Sequence, residues 1–279
     1  MNKVILIIFA LLIANNTYAQ DIQISFPSDT LTLYGTLSIP TGNSPFPTVI
    51  LIHGSGPNDR DQTLFLTGGN AQCLYPGIYN NTIRNFKDLA DTLSNFGIAV
   101  LRYDKRTYTY QTQLDPVEIS PYDFIADVHA AVNYIKTRPE VDTTSIILLG
   151  HSQGANFLPI VAKDRNDISK LLALGTAARG IDTIMAIQFR DLYYICLNDT
   201  VSGDAIYNQT LSDFQSIRNE TWNPNTPYLG AYPKFWRDWI NITDSAVINF
   251  DSISQPTLFL QGTEDFNIPI EDAQRYETQ

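Results

Sequence analysis

From about residue 20 onward, apolar positions alternate with polar ones: Ile22, Ile24 and Phe26, then Leu31, Leu33, Leu37 and Ile39 after a Pro27-Ser28-Asp29 break. Period-two runs split by turn residues predict an antiparallel hairpin with one face to solvent. The pattern then changes to short continuous apolar runs at 49–52, 98–101, 146–149, 171–174 and 258–260. Runs of this kind predict parallel strands buried on both faces. Helical spacing lies between them. Phe86, Leu89, Ala90, Leu93 and Phe96 share one face that stops at Gly97. Ser120-Pro121 is a good N-cap and first-turn pair for a helix carrying Phe124, Val128, Val132 and Ile135. Strand and helix in this order predict an α/β fold, a mostly parallel sheet flanked by helices with the hairpin at its N-terminal side.

Between 181 and 250 the rhythm is lost, and this stretch holds Trp222, Trp236 and Trp239 with many tyrosines. A long late insertion is expected as a cap over the carboxyl edge of the sheet, most of its aromatics packing the cap's own core. There is no internal repeat.

The first residues read as an address. Met1-Asn2-Lys3 precedes an apolar run from Val4 to Ile13, and Thr17-Tyr18-Ala19 has the small-x-small form of a cleavage site. The run is short for a bilayer, so 1–19 is expected to be a secretory signal peptide and 20–279 one exported domain, periplasmic or secreted. A retained membrane anchor is the alternative. No other segment approaches transmembrane length, so no stable membrane insertion is expected after cleavage. Export makes a bridge between Cys73 and Cys196 chemically possible, while the sequence leaves open whether they pair. The 29 acidic against 18 basic residues give a net charge of −11, which excludes a nucleic-acid partner on electrostatic grounds.

The chemistry is concentrated at three strand ends. Gly150-His151-Ser152-Gln153-Gly154 follows the 146–149 run and precedes a helical stretch. Gly-x-Ser-x-Gly in that context is a tight turn that lifts a serine hydroxyl above the sheet, so Ser152 is the expected nucleophile. His53-Gly54-Ser55-Gly56-Pro57 follows the 49–52 run. A small-residue loop there can turn a backbone N–H toward a tetrahedral intermediate, and the amides of Ser55 and Gln153 are the expected oxyanion pair, with Gly56 as the fallback. His53 is expected to brace this loop rather than act as a base. Gln261-Gly262-Thr263-Glu264-Asp265 follows the last run. Asp265 is the expected acid that orients an imidazole, and Glu264 is the neighbouring alternative.

With these residues in hand, the chain resembles the alpha/beta-hydrolases of the secreted bacterial esterase type, whose neighbours include serine aminopeptidases and acyl-CoA thioester hydrolases. The resemblance is carried by residues 53–61 (His-Gly-Ser-Gly-Pro-Asn-Asp-Arg-Asp), 101–106 (Leu-Arg-Tyr-Asp-Lys-Arg), 150–154, 175–179 and 260–265. It implies Ser152 as nucleophile, Asp265 as triad acid, and Asp59, Arg60, Asp61, Asp104 and Arg106 as loop-bracing residues. Thr107-Tyr108-Thr109-Tyr110 stands where relatives often have glycine, which alters the adjacent pocket wall. The implied reaction is hydrolysis of a small, apolar ester, with no metal or organic cofactor. Peptidase, thioesterase and non-catalytic ligand-binding readings share the fold.

One part is missing. The triad order in this fold is Ser, Asp, His, yet the three histidines, His53, His129 and His151, all precede Asp265, and none is well placed to serve. The family pattern continues with one more strand, a loop bearing the histidine and a final helix. The expectation is therefore a C-terminally truncated product that lacks them, with the base beyond residue 279 and the chain itself nearly inactive.

Overall fold

The computed structural model describes residues 19–277. The expected leader, apart from Ala19, lies outside them. Along the chain run β1 (Gln20–Ser28), β2 (Leu31–Ile39), β3 (Phe46–Ile52), β4 (Thr63–Phe65), α1 (Ala71–Leu74), β5 (Thr82–Arg84), α2 (Asn85–Asn95), β6 (Ala99–Tyr103), α3 (Arg106–Thr109) and α4 (Pro121–Ile135). Then come β7 (Val141–His151), α5 (Gln153–Lys163), β8 (Lys170–Leu174), α6 (Ile181–Leu192), a π-helical turn (Tyr193–Leu197), α7 (Thr200–Arg218), α8 (Pro233–Thr243), α9 (Ala246–Asp251), β9 (Thr257–Leu260) and α10 (Ile270–Glu277).

The main sheet has the order β1-β2-β6-β3-β7-β8-β9. The hairpin β1–β2 is antiparallel and joins β6 antiparallel, while β6, β3, β7, β8 and β9 run parallel. Strand β6 is buried along its whole length and β3 nearly so, as expected for central strands covered by helices. One core lies under α4 and α5, where Ile50, Ile52, Val128, Val132 and Phe157 meet; a second, smaller one lies under α2 with Val49, Leu51, Phe86 and Val100. The start of α4 follows from its sequence: the Ser120 hydroxyl accepts from Tyr122 N–H, and Ser120 N–H donates to Asp123 in return.

Two expectations change. The run at 258–260 is not buried on both faces, because β9 is the sheet's edge and leaves Leu258 53% and Leu260 42% exposed. Phe96 is 79% exposed rather than part of the α2 face, since the helix ends at Asn95 and Gly97 turns the chain at φ +79°.

Helices α6 to α9 form the insertion between β8 and β9. Trp236 and Trp239 of α8 stack at 5.7 Å, and Phe214 of α7 meets Trp236 edge to face. The two cysteines are joined, tying α1 to the π-helical turn across 123 residues of chain. Closing a loop of that size restricts the unfolded chain by about 3–5 kcal/mol. Reduction of the bridge, or the double Cys73→Ser and Cys196→Ser variant, is expected to lower the melting temperature by roughly 10 °C. Superimposable melting curves with and without reductant would show that the bridge does not restrict the unfolded chain.

Candidate active site

Parallel pairing places three chain reversals side by side. His151 at the end of β7 is in register with Leu174 of β8, which is in register with Leu260 of β9. Their loops therefore leave the same carboxyl edge, where open α/β sheets bind ligands.

At the first reversal Ser152 has φ 52° and ψ −117°, a conformation that a non-glycine residue holds only under strain. The turn is tight enough to need its glycines. A β-carbon on Gly150 would lie 2.4 Å from the Gly154 carbonyl oxygen, and one on Gly154 would lie 2.4 Å from that of Ile52. Ser152 N–H donates to Leu174 O at 2.8 Å, and the residue stays half-buried rather than sinking into the core.

The 53–57 loop rests on this turn. A β-carbon on Gly54 would be 3.4 Å from Ser152 Cβ and 3.0 Å from His151 Nδ1. Asn58 Nδ2 donates to the carbonyls of Gly54, Ser55 and Gly56 at 3.2, 2.9 and 3.1 Å, gathering them on one side. Gln153 is the first residue of α5, so its N–H has no partner within the helix. Among the described residues neither the Ser55 nor the Gln153 amide is taken up by a turn or loop carbonyl. Gly56, the fallback, has φ +86° and open space around it.

Asp265 is held from three sides. Its Oδ1 accepts from the N–H groups of Asn267 and Ile268 at 2.9 and 3.1 Å, and its Oδ2 from Gln261 Nε2 at 3.1 Å. Oδ2 lies 3.5 Å from where a Gly175 β-carbon would stand, which puts it next to the β8 end that holds Ser152. Glu264 points outward and is exposed. Behind this loop, fully buried Asp272 of α10 accepts from Ala178 and Arg179 N–H at 2.9 Å each and pairs with the Arg179 guanidinium.

The three imidazoles are otherwise engaged. His53 is buried between Phe86 and Tyr103, with Nε2 2.9 Å from Asp59 O. Burial, reinforced by nearby Lys105, pushes its pKa down to about 3, so it braces the loop as a neutral ring. His151 has Nδ1 2.7 Å from Gln62 Nε2 and lines a groove of about 490 Å³ with Gly175 and Asp265. Burial lowers its pKa, against the opposing charge of Asp265. His129 sits beside Arg165 on α4, its pKa lowered by partial burial and by that guanidinium. Among the described residues no hydrogen bond joins an imidazole to Ser152 Oγ.

The charged strings interlock. Arg60 meets Asp104 through Nε at 3.1 Å and Nη2 at 2.5 Å, and Asp61 pairs with Arg102. Arg106 makes two hydrogen bonds to buried Asp127, at 2.9 and 2.6 Å. Asp59 accepts from Thr63 N–H and hydroxyl. Of these five, Arg60, Asp104 and Asp59 also hold backbone groups, while Asp61 and Arg106 are held by side chains. Lys105, between Asp104 and Arg106, behaves differently. Its Nζ donates to Gly54 O at 2.8 Å and to Gln153 Oε1 at 2.9 Å. Its only sequence signal is its place between Asp104 and Arg106 just past a strand end.

A cavity of about 430 Å³ opens beside the 55–57 loop, walled by Lys105, Thr107 and Phe124 and roofed by Phe235, Trp236 and Trp239 of the cap. Several cap aromatics thus pack the cap and line the cavity at once. Thr107 belongs to the segment that departs from the family's glycine. Among the described residues no cluster of three or more His, Cys, Asp or Glu side chains could hold a metal ion.

Residues 73–278 match the family model described as serine aminopeptidase, S33. Esterase EstD of Thermotoga maritima is 32% identical over 241 residues, covering 86% of this chain and 52% of the relative. The chain therefore spans about half the length of that curated relative. Among solved structures, Est1E from Butyrivibrio proteoclasticus is similar at a TM-score of 0.53 and 17% identity, over 92% of this chain and 84% of that one. An acylaminoacyl peptidase from Pyrococcus horikoshii is similar at 0.54 and 12%, over 93% and 34%. These likenesses show the fold.

The state of His53 makes a measurable demand on stability. Its folded pKa of about 3 lies below the ordinary 6.5, so the unfolded chain takes up the proton first and stability falls as pH drops from about 6.5 toward 3. Acidifying from pH 7 to 5 is expected to cost about 2 kcal/mol through this residue. His53→Gln should flatten that part of the urea-midpoint profile; an identical acid slope in both proteins would refute the assignment.

Proposed function

The chain belongs to the serine aminopeptidase S33 family of alpha/beta-hydrolases, and on that premise we propose that the protein cleaves carboxylic esters through an acyl-enzyme on Ser152. The observation that carries this reading is the strained φ of Ser152 on a turn packed against Gly54, since such strain persists where the hydroxyl must be presented. Similarity to Esterase EstD supports ester hydrolysis within the family.

In the proposed cycle Ser152 Oγ attacks the ester carbonyl carbon and its proton passes to a base. The N–H groups of Ser55 and Gln153 stabilise the oxyanion, a contribution of about 2.7–4 kcal/mol per donor. The alcohol leaves with that proton, and water then releases the acid from Ser152 by the same steps. Asp265 would hold the base as an oriented imidazole. That imidazole would have to reach the groove between His151, Gly175 and Asp265. The cap-roofed cavity suits an apolar acyl or alkyl group of modest size. Export through the N-terminal segment is part of the same proposal, and the Cys73–Cys196 bridge supports an oxidising destination.

A second reading, a hydrolase-like protein that binds ligands without turnover, is favoured by one observation: no imidazole among the described residues hydrogen-bonds to Ser152. The two separate cleanly. Full-length protein should react with a fluorophosphonate and hydrolyse a short p-nitrophenyl ester, and Ser152→Ala should abolish both. Asp265→Asn should lower kcat by about 10⁴-fold. An unreactive Ser152 in the full-length protein would favour the binder.

A further inference from the structure

We propose that Lys105 is the positioning residue of the oxyanion hole, a single ammonium that fixes both amide donors at once. The inference rests on the esterase reading for its purpose, though not for its geometry.

The Gly54 carbonyl and the Ser55 N–H belong to one planar trans peptide, so they point in opposite directions. Lys105 Nζ, 2.8 Å from Gly54 O, therefore aims the Ser55 N–H away from itself, and its charge polarises that amide into a stronger donor. The same Nζ reaches Gln153 Oε1 at 2.9 Å. That second bond ties the residue after Ser152 to the loop across from it.

Packing alone does not call for a lysine here. The residue is 4% exposed, and its nearest favourable contact besides the two oxygens is the Phe124 ring at 4.3 Å. Its neighbours Asp104 and Arg106 are committed to Arg60 and Asp127, and no carboxylate of the described residues lies within ion-pair reach of Nζ. Burial pushes its pKa down to about 7, with Asp127 opposing from a distance. A methionine would fill the same volume against Phe124 without the cost of desolvating a charge. An ammonium retained at such cost, on these two acceptors, points to control of the amides.

The test uses full-length protein labelled with ¹⁵N at serine and glutamine. In Lys105→Met the Ser55 and Gln153 amide protons are expected to move upfield, while those of Ser28 and Ser94 stay in place and the melting temperature is not lowered. The reaction of Ser152 with a fluorophosphonate should slow by about 10²-fold, and kcat for a p-nitrophenyl ester should fall with KM unchanged. Should the methionine variant fail to fold, the wild type suffices: the Ser55 and Gln153 shifts should follow the titration of Lys105 Nζ. His53, Asp127 and His151, which face the region from β3, α4 and β7, are followed in the same spectra to separate their effects. Unmoved Ser55 and Gln153 amides overturn the proposal. Wild-type protein inert to ester and fluorophosphonate would sink the esterase reading instead, and the amide shifts would still decide the part played by Lys105.

Discussion

Everything at the carboxyl edge depends on backbone meeting backbone with no side chain between. Parallel pairing sets Ile52 of β3 beside Gly150 of β7, and the turn that follows folds back so far that Gly154 lies against the carbonyls of Ile52 and His53. Only hydrogen atoms fit there. That approach forces Ser152 into its positive φ, at a cost of about 1–3 kcal/mol, and the surrounding sheet must over-determine it. It does so through burial: Val49, Ile50, Leu51 and Ile52 on one strand and Ile146, Leu148 and Leu149 on the other are all 5% exposed or less, with Ile147 between them partly buried. The strain at one residue is thus carried by two strands that could not easily slip.

Charge then turns the loops around that contact into fixed parts. Arg60 with Asp104, Arg102 with Asp61, and Arg106 with Asp127 link the 58–61 loop, the end of β6 and α4. Buried pairs of this sort contribute little net stability compared with an apolar core. Their effect is to leave each loop one arrangement. Burial raises the pKa of Asp127, with Arg106 and Ser28 pulling the other way, so even a well-paired carboxylate registers the expense of its surroundings. The net charge of −11 therefore says little about the site, where Arg60, Arg102 and Arg106 are each held by carboxylates.

The fold was legible because its strands are apolar runs with abrupt ends, and Gly150 to Gly154 was legible because a steric demand leaves a glycine signature. Asp265 could be chosen over Glu264 only by guess from the sequence; the structure separates them, since one carboxylate turns inward to three donors and the other is exposed. What stayed hidden were relations between distant segments. The pairing of Cys73 with Cys196, the contact of His151 with Gln62 and the grip of Asp272 on Arg179 all join residues whose local sequence carries no sign of the partner. Leu258 and Leu260 misled for a related reason. A three-residue apolar run reads the same in a central strand as at an edge, and only the neighbour count decides.

The two sides of the candidate nucleophile differ in enclosure. On the cap side, Phe235, Trp236 and Trp239 contact one another and enclose the cavity wall, so an acyl group would enter a surface already shaped. On the β9 side, Leu258 and Leu260 face outward and Asp265 Oδ2 borders an open groove. Lys105 lies on the cap side, joining loop to helix through Gly54 O and Gln153 Oε1. Donors that must meet an oxyanion have to be rigid before charge develops, because reorganising them during the reaction would consume the stabilisation they provide. An imidazole that shuttles a proton must instead approach both partners and retain some freedom. Donors fixed by a buried ammonium and a strained turn meet the first of those two requirements.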